Sequence, residues 1–193
     1  MNGQGINPDL SVLLQTISCT LALPVSYDLS GDITKGGLAV GDLTQDGKAD
    51  VVVAHYGDTS DPSRYKVTLF QQQENGTLKL TQSLLSNARL QPLEIADVNG
   101  DGRNDLIACG ATHLLVYLQL SDGTLATYQD YQVPNASHLK PQALDVGDIN
   151  GDGLLDVVIA NYNSGLVVLY HATAATATAT PTPSATPLAT ATP

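Results

Sequence analysis

Three stretches of this chain set oxygen-bearing side chains at the same intervals. They read Asp42-Leu-Thr-Gln-Asp-Gly-Lys-Ala-Asp50, Asp97-Val-Asn-Gly-Asp-Gly-Arg-Asn-Asp105 and Asp148-Ile-Asn-Gly-Asp-Gly-Leu-Leu-Asp156. Positions 1, 3, 5 and 9 carry Asp42, Thr44, Asp46 and Asp50, then Asp97, Asn99, Asp101 and Asp105, then Asp148, Asn150, Asp152 and Asp156. Position 6 is glycine each time, where a tight turn demands a backbone that other residues resist. Lys48, Arg103 and Leu154, at position 7, are placed to offer a backbone carbonyl. Several oxygens converging on one point are what a hard cation requires, so the pattern predicts up to three Ca²⁺ sites.

Other chemistry fits the loops less well. An EF-hand needs Glu at its twelfth position, where this chain has Val53, Ala108 and Ile159, and its flanking helices have no counterpart here. Glycoside hydrolysis needs two carboxylates in unlike environments, whereas these recur identically. His55, His113, His138 and His171 lack the spacing of a zinc site. No nucleophile triad, phosphate loop or cofactor motif is present, and no intrinsic enzymatic activity is expected. With neutral Asn or Thr at position 3, calcium affinity should be modest, with dissociation constants on the order of 10⁻⁴–10⁻³ M as in extracellular modules.

The loops also account for the charge. Nine of the 19 acidic residues occupy them, and three divalent ions would bring the net charge from −11 to about −5. With eight Lys and Arg scattered singly, the chain is not suited to nucleic acid. Cys19 and Cys109 lie in separate repeats and read as small buried residues rather than a disulfide. No apolar run is long enough to span a bilayer. Residues 11–25 lack the basic start and unbroken apolar core of a signal peptide.

The elements around the loops repeat as well. A short apolar segment precedes each one: Gly37–Gly41, Leu93–Ala96 and Ala143–Gly147. A dense β-branched run follows: Asp50–Ala54, Asp105–Ala108 and Asp156–Ala160. These read as strands buried on both faces. A third strand is expected at Lys66–Phe70, Leu114–Leu118 and Leu166–Tyr170. Asn75-Gly76 and Asp122-Gly123 then signal two-residue hairpin turns into a fourth strand opening Gly-Thr-Leu. Near the N-terminus, Leu10–Leu14 matches a third strand, and Cys19-Thr-Leu21 matches that opening, with Cys in place of Gly. The count is 13 strands and no helix, in units of about 50 residues, the pattern of four-stranded β-propeller blades.

The segments 40–54 and 146–161 resemble the FG-GAP/VCBS repeat family, the calcium-loop blades of integrin α-subunit propellers and many secreted bacterial proteins. The resemblance covers about residues 10–171. It implies a β-propeller with calcium between the first and second strands of a blade, held by Asp97, Asn99, Asp101 and Asp105 and by Asp148, Asn150, Asp152 and Asp156. The first loop departs from the family at Thr44 and Gln45, which implies weaker binding there. The Phe-Gly and Gly-Ala-Pro signatures are absent, placing the chain nearer the bacterial form.

The expected fold is therefore all-β, a partial propeller of just over three four-stranded antiparallel blades over residues 1–171. Residues 172–193, almost wholly Ala, Thr and Pro, should form a disordered linker or stalk. A ring needs more blades than the chain holds. Either the remaining blades lie in a longer chain or two copies form a homodimer, whose 26 strands approach the 28 of seven blades.

Strand direction puts the acidic loops at one end of the blades. The other end carries His55, Tyr56, Asn161 and Tyr162, candidate contacts for a carbohydrate or protein ligand, although polar loops of this kind also occur without one. The expected role is a calcium-binding extracellular or cell-surface binding or adhesion module. The alternatives are a structural spacer or an accessory domain of a larger secreted enzyme.

Overall fold

A computed structural model describes residues 10–29, 34–57, 65–134, 136–137, 140, 142–161 and 165–172. Tyr162 and the Ala/Thr/Pro segment from residue 173 lie outside them. The described chain is all-β, with 13 strands and no helix. The strands are β1 (Leu10–Val12), β2 (Val25–Tyr27), β3 (Thr34–Gly41), β4 (Asp50–Tyr56), β5 (Tyr65–Gln72), β6 (Leu78–Leu85), β7 (Leu93–Ala96), β8 (Asp105–Cys109), β9 (His113–Tyr117), β10 (Gln129–Gln132), β11 (Leu144–Gly147), β12 (Asp156–Asn161) and β13 (Gly165–Leu169).

These strands form four antiparallel sheets, each in chain order: β1-β2, β3-β4-β5-β6, β7-β8-β9-β10 and β11-β12-β13. The dense apolar runs become the second strand of each larger sheet, and β8 is buried along its whole length. Period-two alternation explains why both faces must be apolar. Leu106 and Ala108 of β8 face the second sheet, packing with Val52, Val67 and Leu69. Ile107 and Cys109 face the fourth sheet, packing with Leu144, Val157 and Ile159. Burying one such side chain contributes about 1.5–3 kcal/mol, so these two layers hold successive sheets together.

Gly37 sets how closely the second and third sheets approach. A β-carbon there would lie 1.6 Å from the Gln91 carbonyl oxygen, so only glycine fits. The small sheet β1-β2 lies over the opposite face of the second sheet, with Leu10, Val12 and Tyr27 near Val51, Val53 and Phe70.

The hairpins differ in detail from a two-residue turn. Gln73 N–H donates to the Thr77 carbonyl (2.8 Å), closing a three-residue link, Glu74–Gly76, with Gly76 left-handed. That is the next commonest hairpin loop, and Asn75 fits it because its side chain accepts the Thr77 N–H (3.0 Å). Cys19 takes the same glycine place with φ 58°, as the match of Cys19-Thr-Leu21 to Gly-Thr-Leu requires.

Candidate metal centre

The three acidic loops join the first and second strands of the larger sheets, and their hydrogen bonds repeat almost atom for atom. The position-9 aspartates Asp50, Asp105 and Asp156 open β4, β8 and β12 and are fully buried. One oxygen of each accepts the N–H of position 2: Leu43 (3.0 Å), Val98 (3.2 Å) and Ile149 (3.0 Å). The other oxygen accepts an N–H at the end of the third strand or just beyond it: Gln72 (3.0 Å), Gln119 (2.8 Å) and His171 (2.8 Å). Each of these carboxylates thus ties its loop to its own sheet. Burial pushes the Asp50 and Asp105 carboxyls above the ordinary range, against the pull of those hydrogen bonds and with a further push from neighbouring acids of the same loop.

Position 1 folds back over the turn. Asp97 accepts N–H bonds from Gly100 (2.8 Å), Asp101 (3.1 Å) and Gly102 (2.7 Å), and Asp148 does the same with Gly151, Asp152 and Gly153. The Gly153 N–H leads in holding the Asp148 carboxyl below its usual range. Asp42 accepts only from Asp46 and Gly47. Gln45 stands where the other loops have glycine and takes φ 57°. Position-5 carboxylates accept the position-7 N–H at 2.8–3.0 Å. Asn99 and Asn150 donate their amides to the position-5 aspartates, whereas the Thr44 hydroxyl instead accepts from Gln71 (3.3 Å).

The donor set fits calcium in kind: carboxylate, amide, hydroxyl and backbone oxygens, without nitrogen or sulfur donors. Among the described residues, no three Asp, Glu, His or Cys side chains converge as a metal cluster. The carboxylates at positions 1 and 9 accept backbone N–H bonds, and two of the five expected donors in each loop are neutral. Position 7 separates the loops. Lys48 Nζ lies 3.3 Å from Asp46 and 3.0 Å from Glu74. The Arg103 guanidinium contacts Asp101, while Leu154 brings no charge to Asp152.

Residues that the motif did not single out lock the loops to one another. The Asn104 side-chain amide donates to the Asp42 carbonyl (2.9 Å) and that of Gln45 to the Gly102 carbonyl (2.6 Å). Gln119 donates its side-chain amide to the Leu43 carbonyl, and His171 Nδ1 donates to the Val98 carbonyl (2.9 Å). Both acceptors are position 2 of the preceding loop. Gln72 and Gln119 each stand four residues before a hairpin glycine, Gly76 and Gly123, but that spacing does not mark the carbonyl that Gln119 reaches.

At the opposite end, the expected ligand contacts do not form one group. His55 is only 4% exposed, its Nε2 2.7 Å from the Thr68 hydroxyl, which lies 3.0 Å from Ser83. β4 extends through His55, which turns the imidazole toward the sheet face rather than solvent. Tyr56 is half-buried beneath Arg89, whose guanidinium carbon lies 4.7 Å from the ring centre. Asn161 donates to the Pro134 carbonyl (2.6 Å), in the segment that links the third sheet to the fourth. A small groove of mixed polar and apolar lining lies instead beside the first loop, between Thr44, Leu69, Gln71, Thr81, Asp122 and Thr124.

Repeated antiparallel sheets, three of them with an acidic loop between their first two strands, define an all-β repeat protein. Residues 42–108 and 97–159 match the FG-GAP-like repeat model, and the chain belongs to that family. No curated protein sequence matches it. Among solved structures, it is similar to an Agrocybe aegerita lectin described as specifically recognising non-reducing terminal N-acetylglucosamine. The identity is 20% and the TM-score 0.45, over 82% of this chain and 42% of the lectin's. The chain thus spans under half the length of that structure.

Proposed function

We propose that the chain is a calcium-stabilised segment of a β-propeller that acts outside the cell as a non-catalytic binding module for carbohydrate or protein. The observation that carries this is the recurrence of one loop, with one hydrogen-bond pattern, in three successive stacked sheets. Four antiparallel strands stacked sheet on sheet are the construction of propeller blades.

The protein's part is to set three carboxylates within nine residues at each loop. Asp50, Asp105 and Asp156 are fixed by two backbone N–H bonds each, while the position-5 aspartates sit at the rim. Bound calcium would supply the positive charge that these loop carboxylates lack. Locking the loops then locks the blades, because Asn104, Gln119 and His171 bridge from one loop to the next. A rigid rim results, and the groove beside the first loop offers hydroxyl, amide and carboxylate groups suited to a sugar.

Retention of the chain on immobilised glycans in millimolar calcium, lost on chelation and weakened by Asp122→Ala, is the expected result. Absence of retention across a broad glycan panel would favour a structural spacer, a reading that the small size of the groove supports.

A further inference from the structure

Successive blades meet through a contact with an apolar half and a polar half, and among the described residues one copy of each half is unmatched. On the receiving side, Leu93 and Leu144 stand four residues before the first aspartate of their loops. Each packs on the blade before it and is 5% or 2% exposed. Leu38 holds that place in the first full blade and is 53% exposed, with Val40 beside it at 59%. The sheet β1-β2 covers the other strands of that face and leaves β3 bare. On the donating side, Leu114 of the middle blade is 1% exposed, whereas its counterpart in the last blade, Leu166, is 69% exposed. Large apolar side chains bare at both ends of a stack mark surfaces made for contact.

The polar half is the bridge from a residue at or just past the end of the third strand to position 2 of the preceding loop. Gln119 makes it to Leu43, and His171 makes it to Val98. Gln72 is the equivalent residue of the first full blade, held by the same backbone bond to its own loop aspartate. Among the described residues, no acidic loop precedes Asp42–Asp50 to offer Gln72 such an acceptor. The equivalent acceptor of the third loop is the Ile149 carbonyl, and no blade follows it among the described residues. One end therefore has the donor and the other has the acceptor.

We propose that these two ends join between copies of this chain. The last blade of one copy seats on β3 of a second copy, burying Leu166 against the face that bears Leu38 and Val40. The Gln72 side-chain amide of the second copy donates to the Ile149 carbonyl of the first. The proposal rests on the propeller reading above. A second copy is the occupant because this chain presents both complementary halves, in the same arrangement that already joins its own blades. The contact is heterologous, so it closes into a ring only if the rotation permits. Topology sets the number of blades. In the shared blade both β13 and β1 claim the third-strand place. β13, with five paired residues against three for β1, keeps it, and β2 supplies the fourth strand. Two copies then make six blades, rather than the seven suggested by counting strands.

Light scattering on the full chain in millimolar calcium tests this. The expected mass is near twice 20.1 kDa. Leu38→Asp should weaken association about 30-fold or more, the loss expected for a buried anchor at the centre of an interface. Its circular dichroism and calcium-induced thermal shift should stay those of the parent. In a Cys19→Ser background, a mixture of Gln72→Cys and Ile149→Cys chains should form a disulfide-linked pair, while neither does so alone. A monomer at every concentration overturns the proposal, as does a dimer that Leu38→Asp leaves intact. A dimer lost with Leu38→Asp but indifferent to chelation would uphold this contact and refute the calcium reading instead.

Discussion

Asp105→Asn separates the two tasks assigned to a position-9 aspartate. The carboxylate accepts the Val98 N–H on one oxygen and the Gln119 N–H on the other. Asparagine keeps one acceptor and turns an NH₂ group toward the second donor. One buried N–H then loses its partner, at about 1–3 kcal/mol. Removing the charge works the other way, because burial pushes this carboxyl above the ordinary range, so the net loss in chelator should fall at the lower end. Calcium adds a separate loss. At ten times the dissociation constant, one site stabilises the fold by about 1.4 kcal/mol, and the variant forfeits that increment. For a chain of this length about 2–4 °C accompanies each kcal/mol. The variant should therefore melt a further 3–6 °C or so below the parent in calcium than it does in chelator. Thermal unfolding followed by circular dichroism in both conditions measures the difference directly. Equal losses in calcium and in chelator would refute the idea that Asp105 has any role beyond its two hydrogen bonds.

Other expectations follow from particular side chains. Cys109 is buried, which pushes its thiol up to about 12, whereas Cys19 is exposed. At pH 8 one thiol should react with a disulfide reagent in the native protein and two after denaturation. Leu154→Arg should give the third loop the tethered cation that Arg103 gives the second, and weaken its calcium affinity roughly two- to five-fold. The calcium concentration at half-maximal thermal shift reads this. His55→Ala removes a buried hydrogen-bond partner of Thr68 and should cost about 1–3 kcal/mol of stability, read in urea, with ligand retention unchanged.

Much of this architecture was legible because it repeats. The spacing of the loops, the β-branched runs after them and the hairpin glycines each occur two or three times; the runs became the expected strands, and the glycines took a three-residue hairpin link in place of the expected two-residue turn. What escaped the sequence depends on which side chain replaces a backbone partner. The fourth strand of the third sheet was expected to open at Gly123-Thr-Leu125, yet β10 begins at Gln129. Gln82 of the neighbouring sheet bonds both the N–H and the carbonyl of Leu125, in the manner of a strand. His55 was read as the start of a loop because histidine is polar, but Thr68 and Ser83 across the sheet give it hydrogen-bonding company inside. The bridging roles of Gln119 and His171 were hidden for the same reason. Their partners are backbone carbonyls 76 and 73 residues away, which no local pattern reports.

The most direct test of the account is the thermal midpoint of the chelator-stripped chain in millimolar calcium and in millimolar magnesium. Three loops at ten times their dissociation constants would raise stability by about 4 kcal/mol, or roughly 8–16 °C. Magnesium, which gives up its water reluctantly, should do much less. That shift, reduced by substitution in any one loop, is the predicted result. A midpoint indifferent to calcium would contradict the account, leaving the acidic loops as turns held by their backbone hydrogen bonds alone.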